Sequence, residues 1–182
     1  MKSLVLFGDS LLGRVGIDLM NQIKAATPNI EIYNCAAGGF GSPDGKDRAA
    51  YIAKLNPDYA VITSFALNDI WRYKLDVNEH KENMRSIIQA FNDSRVVVWL
   101  SPPVNDPNKK EESDNINQTL VQYNEQIKGL CGDMRMECID SFIIYQDFAN
   151  EGVNYHAEDG VHLTDEGYKP FINALAEILN RF

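Results

Sequence analysis

Leu4-Val5-Leu6-Phe7-Gly8-Asp9-Ser10-Leu11 is the stretch whose reading decides the fold. Four apolar residues in a row, without polar alternation, describe a strand buried on both faces. Gly8 ends the run and a polar pair follows, so the chain leaves the strand carrying a serine into a turn. Similar β-branched or apolar runs recur at 31–35, 59–64, 96–100 and 135–139. Segments with helical spacing lie between and after them, at 16–26, 44–55, 77–91, 115–130 and 166–179. The third has a one-sided apolar stripe of Val77, Met84, Ile87, Ile88 and Phe91. Turn residues mark the boundaries: Pro28-Asn29, Asn56-Pro57-Asp58, Pro102-Pro103 and Gly132-Asp133. Strands alternating with helices predict an α/β fold, a three-layer sandwich around a parallel sheet with right-handed crossovers. With no repeat, low-complexity tract or linker, residues 1–182 are expected to form one domain.

Bulk properties narrow the function classes. The chain has 182 residues, enough for one substantial core, with 45% hydrophobic and 24% charged residues. Its 17 basic and 26 acidic residues give a formal net charge of -9. Such a surface repels phosphate backbones and anionic lipid, so neither nucleic acid nor membrane is an expected partner. Cys35, Cys131 and Cys138 are odd in number and lack metal-type spacing; they read as buried thiols in a reducing compartment. The apolar stretch before Asp9 is too short for a secretory signal, and no run reaches the roughly 18 apolar residues of a membrane span. A cytoplasmic protein is expected, or a secreted one if the sequence is a processed form.

In open parallel sheets ligands bind beyond the carboxyl ends of the strands. The first strand delivers Asp9-Ser10 there, the second Asn34-Cys35-Ala36-Ala37-Gly38-Gly39, and the third Ser64-Phe65-Ala66-Leu67-Asn68-Asp69. On the loop before the last helix lies Asp159-Gly160-Val161-His162, an acid three residues before a histidine. A serine hydroxyl is a weak nucleophile until an imidazole, itself held by a carboxylate, takes its proton. Serine, histidine and acid are thus expected to converge on one edge of the sheet, which suggests a serine esterase.

These blocks, in this order and spacing, resemble the SGNH hydrolases, also called the GDSL esterase/lipase family. Gly8-Asp9-Ser10-Leu11 matches the first block, whose serine is the family nucleophile, and Asp159 with His162 match the last. Within the second block Gly39 matches best, with Gly38 the second choice. In the third, Ala66-Leu67-Asn68-Asp69 stands where the family has glycine-any-asparagine-aspartate. The resemblance implies a flavodoxin-like sandwich with a five-stranded sheet, in agreement with the strand count above. It implies a catalytic set of Ser10, His162 and Asp159, and oxyanion donors from the N–H groups of Ser10 and Gly39 and the side chain of Asn68. Ala66 departs from the pattern; its added Cβ is expected to narrow the pocket wall.

The expected reaction is attack by Ser10 on an ester carbonyl, with His162 as base and Asp159 fixing its tautomer, then hydrolysis of the acyl-enzyme. The expected partner is a small-molecule ester or an acetylated carbohydrate, with no cofactor and no metal; no feature of the sequence speaks to oligomeric state. Transfer of the acyl group to a sugar hydroxyl, or a non-catalytic flavodoxin-like binding module, are the alternatives. Phe40, Trp71 and His156 are candidates for lining the substrate pocket, Trp71 serving equally well in core packing. Asp9 and Asp69 read as bracing groups, and His80 as a solvated residue on an exposed helix. Residues 104–114 read as a mobile polar loop, either simply solvated or covering the site. Arg14 is a minor candidate for attracting an acidic substrate. The glycines Gly8, Gly13 and Gly16 fit neither a dinucleotide fingerprint nor a P-loop, and a Gly-x-Ser-x-Gly nucleophile elbow is missing.

Overall fold

The computed structural model describes residues 1–150 and 152–181. Five strands, β1 (Lys2–Phe7), β2 (Ile30–Asn34), β3 (Tyr59–Thr63), β4 (Arg95–Trp99) and β5 (Glu137–Ile139), form one parallel sheet in the order β2-β1-β3-β4-β5. All five coincide with the apolar runs, shifted at their ends by two residues or fewer. This is the flavodoxin-like order, in which the chain runs outward from β1 to one edge and returns to build the other. The switch point lies between β1 and β3, and the loops leaving these two strands border the crevice there.

The continuous apolar runs follow from burial on both sides. Leu4 and Leu6 of β1 pack with Leu19 and Ile23 of α2 (Ile17–Ala26) and with Phe171 and Leu175 of α8 (Asp165–Leu179). Val5 and Phe7 face the other way. There they meet Ala49 of α3 (Ser42–Ala53), Met84, Ile87 and Ile88 of α5 (Val77–Ala90), and Ile127 and Leu130 of α6 (Lys110–Met134). Successive side chains of a strand point to opposite faces, so a strand between two helical layers has no polar side to show. Each fully buried Leu, Ile or Phe contributes about 1.5–3 kcal/mol. The Trp99 indole stacks on Phe171 at 3.9 Å and donates its N–H to Ser141 at 2.7 Å, which satisfies its one polar atom.

Several elements differ from the sequence reading. A helix, α7 (Ser141–Asn150), follows β5; its unbroken apolar run Phe142–Tyr145 blurs the helical period that would reveal it. The short α1 (Ser10–Gly13) follows β1, and after β3 the chain makes α4 (Ala66–Asn68) and a π-turn (Asp69–Tyr73). Residues 104–114 are only partly a loop: α6 begins at Lys110, where Glu111 and Glu112 favour a helix start and Lys109 pairs with Glu112 at 3.5 Å. Of the cysteines, Cys131 is buried, whereas Cys35 and Cys138 are half-buried. Among the described residues no helix is long and apolar enough to cross a membrane.

Candidate active site

Ser10 stands at the first position of α1, directly after β1. Gly8 lets β1 and β3 approach here, because a Cβ would overlap the Thr63 side chain. Asp9 caps the turn: its Oδ1 accepts from Leu11 N at 3.0 Å, and its own N–H donates to Thr63 Oγ1 at 3.0 Å. This bracing role matches the expectation. Burial pushes the Asp9 carboxyl up to about 6, although the Leu11 N–H and Thr63 hydroxyl favour its ionised form.

The other side of the crevice is the loop before α8. Asp159 Oδ1 accepts from the backbone N–H groups of Val161 (3.0 Å) and His162 (2.9 Å), closing an Asx-type turn. Gly160 has φ +65, and its carbonyl accepts from Asn105 N at 2.7 Å. A Cβ there would overlap the Asp106 backbone, so glycine lets this turn lie against the segment after β4. Thr164, the N-cap of α8, fixes the downstream end by accepting from Gly167 N at 3.1 Å.

These two segments bring three predicted side chains into one line. Asp159 Oδ2 lies 2.6 Å from His162 Nδ1, and His162 Nε2 lies 2.9 Å from Ser10 Oγ. A carboxylate only accepts, so Nδ1 carries the proton and Nε2 presents a lone pair to the serine hydroxyl. Partial desolvation raises the Asp159 carboxyl, but the His162 backbone and ring and the Val161 N–H together carry it well below the usual carboxylate range. Arg14 is 3.8 Å from the same carboxylate, and both groups are largely exposed. The guanidinium is thus turned toward Asp159.

The segments expected to supply oxyanion donors are tied together. Asn68 Nδ2 donates one proton to Phe40 O at 2.8 Å, which fixes the amide plane and leaves its second N–H available. Asp69 Oδ1 accepts from Ser42 N at 2.7 Å, and Arg72 donates to Gly39 O at 3.2 Å. Gly39 has φ +77, in the left-handed region. Of the two glycines, Gly38 faces Ser10: a Cβ on it would lie 3.9 Å from Ser10 Cβ, while one on Gly39 would meet Arg72.

A cavity of about 110 Å³ opens over Ser10, lined by Leu67, Asn68, Trp71, Pro102, Val161 and His162 among others. Trp71 and Val161 also wall an adjoining cavity of about 340 Å³ with Val104, Ile116, Asp106, Lys109 and Glu112. Trp71 therefore stands where a pocket residue was expected. Phe40 and His156 line neither cavity. The Phe40 ring packs under the Arg48 guanidinium, 4.5 Å away, so its carbonyl and not its ring serves the site. His156 is buried, donates its Nε2–H to Pro103 O at 2.8 Å, and is held below the usual imidazole range by desolvation. It braces the loop after β4. Ala66 does not narrow the serine cavity; it is buried in an apolar cluster with Val104, Ile116, Leu120 and Tyr123.

His80 overturns its expectation outright: it is 0% exposed, and its Nδ1 lies 2.6 Å from Asp69 Oδ2. A signal for this was present. Residues 77, 80, 84, 87 and 91 have the 3-4-3-4 spacing of one helix face, and His80 fills the gap in that stripe. Among the described residues no group of three or more His, Cys, Asp or Glu side chains is disposed to hold a metal ion.

A parallel α/β sheet with a serine held by an imidazole at its switch point defines the class, an ester hydrolase of the serine type. The chain belongs to the GDSL-like lipase/acylhydrolase family, whose sequence profile matches residues 6–169. The non-catalytic binding module therefore falls away. No curated protein sequence matches the chain. Among solved structures it is similar to the lipase/acylhydrolase from Enterococcus faecalis, with a TM-score of 0.86 at 20% identity over 100% of this chain and 97% of that one. A lipolytic G-D-S-L family protein from Veillonella parvula gives 0.81 at 16% identity, covering 100% of both chains. An acetyl xylan esterase from Geobacillus stearothermophilus gives 0.78 at 16% identity, over 98% and 94%. At these identities the likeness concerns the fold.

Proposed function

We propose that this protein hydrolyses short-chain carboxylic esters, O-acetyl groups on carbohydrates among them, with Ser10 as nucleophile, His162 as general base and acid, and Asp159 as its orienting acid. What carries the reading is the unbroken run of hydrogen bonds from Asp159 Oδ2 through the His162 ring to Ser10 Oγ. Ser10 Oγ attacks the carbonyl carbon while its proton passes to His162 Nε2. The oxyanion is held by the N–H of Ser10, by that of Gly39 or of its neighbour Gly38, which faces Ser10, and by the second N–H of Asn68. Collapse expels the alkoxide, which takes the proton from His162. A water then attacks the acyl-enzyme with His162 again as base, releasing the carboxylic acid and free Ser10.

The size of the compartments supports the substrate class. The cavity of about 110 Å³ at Ser10 suits an acetyl or similarly short acyl group. The adjoining 340 Å³ offers the alcohol an indole face and the polar side chains of Asp106, Lys109 and Glu112, a mixture that suits a sugar better than a hydrocarbon chain. The fold-level likeness to an acetyl xylan esterase points the same way. A series of p-nitrophenyl esters and acetylated oligosaccharides, assayed with wild type and Ser10→Ala, tests the reading. Acetate is expected to be favoured over octanoate, and a fluorophosphonate is expected to label Ser10 alone. Turnover that survives Ser10→Ala in folded protein would refute the mechanism; a preference for octanoate would refute the substrate class.

A further inference from the structure

Asp69 and His80 are both 0% exposed, yet they form a charged-type pair with no direct contact to the serine cavity. The pair is expensive. Among the described residues His80 Nε2 has no hydrogen-bond partner, and the ring packs 5.0 Å from that of Tyr123. A phenyl ring would fill the same space without an orphaned nitrogen, so packing alone does not explain a histidine. Its Nδ1–H does: a carboxylate with no solvent needs a donor on each oxygen. Asp69 has Ser42 N at 2.7 Å on one oxygen and His80 Nδ1 at 2.6 Å on the other.

The residues so joined flank the oxyanion segments. Asp69 is the chain neighbour of Asn68, and Ser42 lies three residues beyond Gly39. One helical turn after His80, Asn83 is also buried, and its Nδ2 donates to Ser42 Oγ at 3.1 Å. Helix α5 thus grips Ser42 twice, directly through Asn83 and through the Asp69 carboxylate held by His80. A Cβ on Gly41 would overlap Asp69 Oδ1 and the Tyr73 ring, so the two segments are packed to contact.

We propose that His80, through Asp69, is a positioning residue for catalysis: with Asn83 it fastens the Gly39–Ser42 and Asn68–Asp69 segments to α5, setting the distance between the oxyanion donors. This rests on the reading of Gly39 and Asn68 given above. The geometry required for oxyanion stabilisation is tight, and displacements of about 1 Å cost up to about 10²-fold in rate.

The test compares His80→Asn with His80→Gln. The asparagine amide N–H falls where Nδ1 lies, whereas glutamine carries its donor one bond further. On p-nitrophenyl acetate, His80→Gln is expected to lower kcat by about 10–100-fold with KM within about twofold. His80→Asn is expected to hold kcat within about threefold of wild type, whatever its Tm. Equal kcat values for the two folded variants, at any level, overturn the proposal, since a purely structural role follows Tm and not donor position. If the glutamine variant does not fold, Asn83→Ala decides: kcat lowered several-fold at constant KM supports the clamp, and unchanged kcat overturns it. Ser10→Ala separates the two failures. Wild-type turnover that depends on Ser10, with kcat indifferent at position 80, sinks the clamp alone; turnover independent of Ser10 sinks the site reading and the clamp with it.

Discussion

Two aspartate–histidine pairs in this molecule have the same contact, Nδ1 to Oδ2 at 2.6 Å, and opposite surroundings. In Asp159–His162 the imidazole is 17% exposed and the carboxylate 44%, and the free ring nitrogen meets Ser10 Oγ. In Asp69–His80 both are 0% exposed, and among the described residues the free nitrogen has no hydrogen-bond partner. The hydrogen bond itself therefore says little about role. What separates them is the third partner and access to substrate: one imidazole can pass a proton to a reacting group, and the other can only hold its carboxylate still.

The largest effect expected on this comparison comes from removing the outer imidazole. His162→Ala should lower kcat by about 10³-fold or more while the variant still unfolds cooperatively, because the ring supplies the base and lies at the rim of the fold. Steady-state assay with thermal unfolding on the same preparation checks both halves. A comparable kcat loss from the conservative His80→Asn would erase the distinction between the pairs. Asn68→Ala comes next, with about 10²–10³-fold lost from kcat and KM little altered, the signature of a contact made in the transition state. A rise in KM without loss of kcat would mean that Asn68 binds substrate instead.

Asp9 sharpens the comparison as a buried carboxyl that has no basic partner among the described residues. Its folded pKa, about 6, is above the unfolded value near 3.9. The protonated form is thus favoured by folding: its contribution is fully present below about pH 4 and lost as pH rises through about 6. Asp9→Asn keeps an acceptor for the Leu11 N–H and cannot ionise. Denaturant unfolding should find the variant about equal to wild type at pH 4 and more stable by up to about 3 kcal/mol at pH 8. The reverse order of stabilities at pH 8 would show that Asp9 has a favourable partner when charged. The smallest effect is expected at Trp71. Trp71→Ala should raise KM several-fold for an acetylated oligosaccharide and less for p-nitrophenyl acetate, since the indole walls both cavities and the larger alcohol occupies more of the second.

The sheet was legible because burial on both faces leaves strands such as Leu4–Phe7 and Val96–Trp99 without polar alternation. Ser10, Asn68, Asp159 and His162 were legible as types of residue at strand ends and in blocks of a known order. His80 was hidden by its neighbours Glu79 and Lys81, which mark an exposed turn, although its place in the 3-4 spacing put it on the buried face. Its partner lies 11 residues earlier in a π-turn, a conformation no period announces. Helix α7 was missed because its four consecutive apolar residues, Phe142–Tyr145, blur the helical spacing carried by Ile144, Tyr145 and Phe148. The roles of Phe40 and Ala66 depended on which way a backbone carbonyl and a methyl group point, which spacing does not encode.

The hydrogen bond between Ser10 and His162 spans 152 positions. On an elongating ribosome the hydroxyl would emerge early and wait, inert, until the last turn of the loop and the capped α8 behind it arrive. Reactivity toward a fluorophosphonate should therefore act as a clock for completed folding, silent in every nascent fragment that ends before His162.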